Sequence, residues 1–135
     1  VLPEAFTCFT LNLDNLSELT KRFGYTVGDG VLKDFAGLVQ LMGDTEGMRG
    51  YNGIGRFVVF FEECSSKKAA AMIRILDNQV EEYNSLNPEY PIRYTAAWAT
   101  TEETDTYEIR ELLRLSQKKW KQMEKEKKDK TEEET

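Results

Sequence analysis

The chain has 135 residues, with 18 Lys and Arg against 24 Asp and Glu, two Cys and no His, for a formal net charge of −6. That length suits one domain with a sizeable core, and 40% hydrophobic with 11% aromatic content is that of a globular chain. Without His there is no Ser-His-Asp or Cys-His relay and no His-ligated zinc; the acidic balance argues against nucleic acid as a partner; and no apolar run approaches the ~20 residues of a membrane helix.

Phe6 to Leu13 is a short run of aromatic, β-branched and apolar residues and reads as a strand. Leu16, Leu19 and Phe23 recur at helical spacing, and Gly24-Tyr25 ends that short helix. A second helix is expected after Gly28-Asp29-Gly30, with Val31, Leu32, Phe35, Ala36, Leu38 and Val39 on a wide apolar face closed by Gly43-Asp44. Met48 to Phe61 reads as a hairpin whose turn is Gly53 to Gly55 and whose second strand is the buried run from Arg56 to Phe61. Ser65-Ser66 caps a long helix carrying Ala69, Met72, Ile73, Leu76, Val80 and Tyr83. Asn84 to Pro91 is a loop, Ile92 to Thr100 a strand in which Trp98 is expected in the core, and Thr104-Asp105-Thr106 caps a last helix using Ile109, Leu112, Leu113, Leu115, Trp120 and Met123.

The order is β-α-α-β-β-α-β-α. It predicts an α+β fold, a ferredoxin-like βαββαβ sheet covered by helices. Residues 116–135 hold seven Lys and six acids, a net of +1, so the first 115 residues carry −7. From Glu124 the chain is a Lys/Glu/Asp/Thr run with no apolar face, a fraying helix end or a linker, which divides it into a domain over 1–123 and a charged tail or linker over 124–135. Two Cys without a disulfide framework, and no signal peptide, point to a reducing cytoplasm. The start without Met suggests a domain of a longer protein, including the cytoplasmic part of a membrane-anchored one.

If such a chain does chemistry with a metal, the ligands must be carboxylates, and three places invite that reading. Asp14, ending the first strand in Asn12-Leu13-Asp14, suits Mg²⁺ with phosphate oxygens completing its octahedron; equally, Asp14 or Asn15 caps the following helix. Asn15-Leu16-Ser17 also matches a glycosylation sequon, which has no weight in a cytoplasmic chain. Asp29 suits the N1–H and amino group of a guanine, since an ionised carboxylate only accepts; it suits a helix N-cap as well. The turn Gly53-Ile54-Gly55-Arg56 suits a tight hairpin or the close approach of a phosphate.

The order and spacing of these three segments resemble those of GGDEF domains, the diguanylate cyclase fold. Asn12 to Leu32 aligns without a gap to the family's opening pattern, keeping Asp14, Leu19, Gly24, Gly28, Asp29, Val31 and Leu32. Tyr51-Asn52-Gly53-Ile54-Gly55-Arg56-Phe57 falls where the family has its signature, Ile92 to Ala99 resembles the late strand, and Glu108 to Met123 the closing helix. The resemblance implies a nucleotidyl-cyclase-like GGDEF fold and cyclic di-GMP signalling.

The departures carry most of the information. The family holds two Mg²⁺ with the Asp that here is Asn12, the carbonyl of the position that here is Leu13, and the two signature acids that here are Gly55 and Arg56. A guanidinium repels Mg²⁺ and cannot act as a base. The second signature Gly is Ile54, the phosphate-contacting Lys is Ser17, the guanine-binding Asn is Thr20, and the late Ala-Lys is Met123-Glu124. Asp44 to Met48 offers no R-x-x-D spacing for the family's inhibitory product site.

These changes imply a degenerate, catalytically inactive GGDEF domain: a regulatory or interaction module working with other domains of a bacterial signalling protein. No catalytic residue and no metal site is expected, the positions Asn12, Leu13, Gly55 and Arg56 being degenerate, and Mg²⁺ enters only if activity is retained. A purine nucleotide such as GTP remains a candidate ligand through Asp29 and Thr20 at the base and Gly53 and Arg56 at phosphate. Homodimerisation is compatible with the family but not demanded by it. The alternative is an active diguanylate cyclase or another residual nucleotide cyclase or phosphohydrolase on GTP, with Asp14, Glu18 and Glu46 as the acids near enough in sequence.

Overall fold

The computed structural model describes residues 5–42, 48–51, 55–104 and 108–134. The hairpin tip Asn52-Gly53-Ile54, the cap residues Asp105-Thr106, and Asp44 and Glu46 fall outside them, and with them the expectations placed on Gly53 and Ile54.

The elements follow the expected order: β1 (Thr7–Leu13), α1 (Leu16–Phe23), α2 (Tyr25–Gln40), β2 (Met48–Tyr51), β3 (Arg56–Phe61), α3 (Ser66–Leu86), β4 (Tyr94–Thr100) and α4 (Ile109–Glu134). They build one antiparallel sheet in the order β2-β3-β1-β4, the ferredoxin-like arrangement. β1 is central, paired to β3 on one side and β4 on the other, so neither of its edges is open, and helices cover both of its faces.

Strand alternation sorts the side chains between two layers. Phe9, Leu11 and Leu13 of β1 and Phe57, Val59 and Phe61 of β3 meet Val31, Phe35 and Val39 of α2 and Ala69, Met72, Leu76 and Val80 of α3 in the main core. Trp98 packs half-buried against this core, its ring 6.4 Å from that of Phe9. On the opposite face Cys8 and Ala99 lie against Leu112 of α4, with Val58, Phe60, Leu113 and Leu115 around them. Ser116, buried in α4, is tied to that face by a 2.8 Å hydrogen bond with Thr10 and a 3.5 Å contact with the Cys8 thiol. Cys8 and Cys64 are both buried and free.

Three expectations are corrected. α2 does not follow Gly28-Asp29-Gly30 but contains them: Gly24, at φ +96°, breaks the chain between α1 and α2, and the Gly28 N–H already donates to the Gly24 carbonyl. Asp29 is therefore not an N-cap. β4 begins at Tyr94 rather than Ile92, and α3 runs on to Leu86, three residues into the expected loop. The charged stretch from Glu124, for which the sequence allows a helix end or a linker, is the last part of α4, which runs to Glu134. Ser65 caps α3 as expected, its hydroxyl accepting from the Lys68 N–H at 3.2 Å.

Candidate functional site

β1, β3 and β4 end together, and their register sets the geometry there. Asn12 lies directly opposite Arg56 on β3 and opposite Thr95 on β4, so Arg56, Asn12 and Thr95 form one cross-strand row. By alternation this row continues Val58–Thr10–Ala97 and faces α4. Two α4 residues separated by two helical turns cover it: Trp120 over Arg56, and Lys127 over Thr95.

Asp14, just past the strand, is held at both carboxylate oxygens. Its Oδ1 accepts from the Asn12 amide at 2.8 Å and its Oδ2 from the Thr95 hydroxyl at 2.5 Å, while its N–H donates to the Arg93 carbonyl at 2.8 Å. Lys127 Nζ donates to Thr95 Oγ1 at 2.7 Å and to the Tyr94 carbonyl at 3.0 Å, and lies 3.9 Å from Asp14 Oδ2. Neither Asp14 nor Asn15 supplies a side-chain cap to α1. Asn15 occupies the N-cap position, but its amide group bridges to the β4 lead-in instead, donating to the Pro91 carbonyl at 2.7 Å and accepting from the Arg93 N–H at 3.1 Å.

The Arg56 guanidinium turns onto the indole of Trp120, its central carbon 4.2 Å from the ring centre. Its Nε is buried with no hydrogen-bond partner, as is Trp120 Nε1. The group assigned to phosphate from sequence thus lies against the closing helix. Gly55 has φ +86°, and a Cβ there would meet Leu16 Cδ2 at 3.3 Å and the Leu13 carbonyl oxygen at 3.4 Å. Its carbonyl accepts from the Leu13 N–H at 2.8 Å.

This donor set does not fit the two Mg²⁺ ions that the sequence resemblance implies. Mg²⁺ demands an octahedron of hard oxygens, with carboxylates to neutralise it. Here position 12 turns an amide N–H₂ toward Asp14, position 55 has no side chain, and position 56 brings a positive charge. Among the described residues no group of three or more Asp, Glu, Cys or His stands where it can hold a metal.

Thr20 and Asp29 lie on the neighbouring α1 and α2. Thr20 donates its hydroxyl to the Leu16 carbonyl at 2.9 Å, and a Cβ at Gly28 would stand 2.3 Å from that oxygen, so Gly28 is what lets the helices approach this closely. Asp29 pairs with Lys33 one turn on at 3.0 Å, with a third of its side chain exposed. A 540 Å³ surface hollow along α1, lined by Asp14, Ser17, Glu18, Lys21 and Arg22, includes neither Thr20 nor Asp29.

Sequence reasoning placed Asn12, Gly55 and Arg56 at one site, and Asn12 and Arg56 are adjacent across the strands. It missed Thr95, Trp120 and Lys127. Trp120 read only as helix-face packing and Lys127 only as part of a polar tail. No helix among the described residues is long and apolar enough to cross a membrane.

Comparison with known proteins agrees with this fold. The family profile described as "Diguanylate cyclase, GGDEF domain" matches residues 3–130. The active GGEEF domain of a diguanylate cyclase from Vibrio cholerae is similar in structure, with a TM-score of 0.80 at 19% identity over 91% of this chain and 78% of that one. The FimX GGDEF domain from Pseudomonas aeruginosa gives 0.69 at 17% identity over 86% and 72% of the two chains. The GGDEF domain of DgcB from Caulobacter crescentus, solved in complex with c-di-GMP, gives 0.60 at 14% identity over 71% and 59%. A search of curated protein sequences returned no match. With its sheet order and a profile match across nearly its whole length, the chain belongs to the GGDEF domain family.

Proposed function

We propose that this chain is a GGDEF domain without diguanylate cyclase turnover, acting in the bacterial cytoplasm as a regulatory or interaction module of a longer signalling protein in cyclic di-GMP signalling. One observation carries the reading: the two side chains at the metal-ligand positions, Asn12 and Arg56, are neutral and positive, and each is engaged within the chain, by Asp14 and by Trp120. Two-metal phosphoryl transfer needs several negative groups to hold its ions, and losing one such ligand commonly lowers the rate by orders of magnitude. The test is incubation of the purified domain with GTP and Mg²⁺ or Mn²⁺, followed by chromatography. No cyclic di-GMP above the enzyme-free control is expected; accumulation above it refutes the reading and favours an active cyclase.

Purine nucleotide binding is a second reading, supported by Asp29, whose partly exposed carboxylate is paired, among the described residues, with the exposed Lys33. Thr20, with its hydroxyl spent on Leu16, contributes a shape rather than an amide. In this reading the base end dominates, because Arg56 would have to leave Trp120 to reach a phosphate. Calorimetric titration of GTP, ATP and cyclic di-GMP tests it: binding abolished by Asp29→Ala supports it, and no heat at millimolar nucleotide overturns it.

A further inference from the structure

We propose that Lys127 is a tethered cation: its ammonium fills an oxygen site at the sheet end that a free hard divalent cation takes when the lysine is removed, and so latches the polar end of α4 to the sheet. Three oxygens of three chemical kinds converge on Nζ: the Thr95 hydroxyl at 2.7 Å, the Tyr94 carbonyl at 3.0 Å and the Asp14 carboxylate at 3.9 Å. Carboxylate, carbonyl and hydroxyl are the donors that Mg²⁺, Mn²⁺ and Ca²⁺ select. They come from two strands brought into register by the β1–β4 pairing, so the site exists independently of α4.

The arrangement is directional. The Thr95 hydroxyl has one proton, which it donates to Asp14 Oδ2, leaving its lone pairs to face Lys127. The Asn12 amide fills the other carboxylate oxygen from the far side. The α4 side is therefore the side from which a positive group meets these oxygens. The site opens into a 770 Å³ groove lined by Asn12, Asp14, Arg93, Tyr94, Thr95 and Lys127, among others, which admits a hydrated ion.

The latch also ties down a stretch of helix whose other support is local, such as the Lys128–Glu124 pair at 3.1 Å. Past Met123 the sequence has no apolar side chain, and residues 125–130 are exposed. Lys127 supplies an attachment there, and its occupancy of the oxygens excludes a free ion. This assignment stands on the positions of β1, β4 and α4 and is independent of whether the domain turns over GTP, so it is read by ion binding and not by product formation.

The experiment is a Mn²⁺ titration followed by electron paramagnetic resonance, on the wild type, Lys127→Met, Lys127→Arg and Lys127→Met/Asp14→Asn, with circular dichroism to verify folding. Lys127→Met is expected to bind one Mn²⁺ at least tenfold more tightly than the wild type, Lys127→Arg to behave as wild type, and the double variant to lose the gain. Hydrogen exchange of the amides over 124–130 is expected to quicken at least tenfold in Lys127→Met without Mn²⁺. Equal Mn²⁺ affinity in wild type and Lys127→Met, or a gain that survives Asp14→Asn, overturns the site. Unchanged exchange over 124–130 overturns the latch, and this readout remains decisive should the Asp14 variant misfold.

Discussion

The guanidinium carbon of Arg56 lies 4.2 Å from the centre of the Trp120 ring, and the contact joins the first residue of β3 to the middle of α4. A position to which the sequence resemblance assigns a metal ligand is here part of how the closing helix seats on the sheet. The energetic weight is uneven: Trp120 is 4% exposed and fills space, whereas Arg56 adds a cation–π contact but leaves its Nε without an acceptor.

Trp120→Ala is accordingly expected to lower stability by about 3 kcal/mol or more, the range for removing a buried large aromatic. Arg56→Met is expected to change it by less than about 1 kcal/mol, because the lost cation–π attraction is offset by relief of an unpaired buried donor. Urea unfolding at neutral pH checks both. An Arg56→Met loss as large as that of Trp120→Ala contradicts the assignment.

Gly28→Ala brings a methyl carbon to 2.3 Å from Thr20 Oγ1, which cannot swing away without breaking its bond to the Leu16 carbonyl. Overpacking of this kind costs about 1–3 kcal/mol. Thr20→Ala in the same chain is expected to recover most of that loss, because it removes the clashing atom. A double-mutant cycle in urea measures the coupling, and simple additivity of the two changes rules the clash out.

Gly55→Asp restores the family's acid at its signature position, yet it is expected to destabilise the domain by about 1–2 kcal/mol. The backbone there sits at φ +86°, and Leu13 and Leu16 already occupy the space a Cβ enters. No gain in cyclic di-GMP formation is expected from this change alone, since Asn12 and Arg56 remain. A melting temperature equal to that of wild type contradicts the expected strain.

Burial pushes the Cys8 thiol up to about 11, with the Ser116 hydroxyl only partly opposing it. A thiol that holds its proton more tightly when folded stabilises the fold fully below the unfolded pKa and loses that contribution as pH rises through the folded one. The window is therefore about pH 9 to 11, and the loss there is on the order of 2 kcal/mol. The Tyr83 and Tyr94 phenols, raised first by burial and then by their bonds to Asp34 and Asp77, shift the same way and extend the decline upward. Urea midpoints recorded from pH 8 to 11 are expected to fall, less steeply in Cys8→Ala. An equal slope in that variant removes Cys8 from the account.

Much of the fold was legible in the chain because its signals are local. The alternation of Arg56 to Phe61, the helical spacing from Ala69 to Val80 and the Ser65 cap each lie within one element, and each element stands where its pattern put it. The error at Gly28-Asp29-Gly30 was of another kind. Two glycines around an aspartate read as a helix start, but Gly28 is set by the approach of α1, a tertiary demand that overrides its low helix propensity.

Sequence alone determined the β-α-α-β-β-α-β-α order, the family likeness, and the loss of acids at positions 12, 55 and 56, since these depend on residue identity and near neighbours. Only the tertiary structure decided where the replacements point. Strand register set Arg56, Asn12 and Thr95 in one row, and packing of α4 across it put Trp120 over one end and Lys127 over the other. A lysine in a run of lysines and glutamates has no local mark of its partner. What distinguishes Lys127 is the set of oxygens on β1 and β4 that the folded sheet holds in its reach.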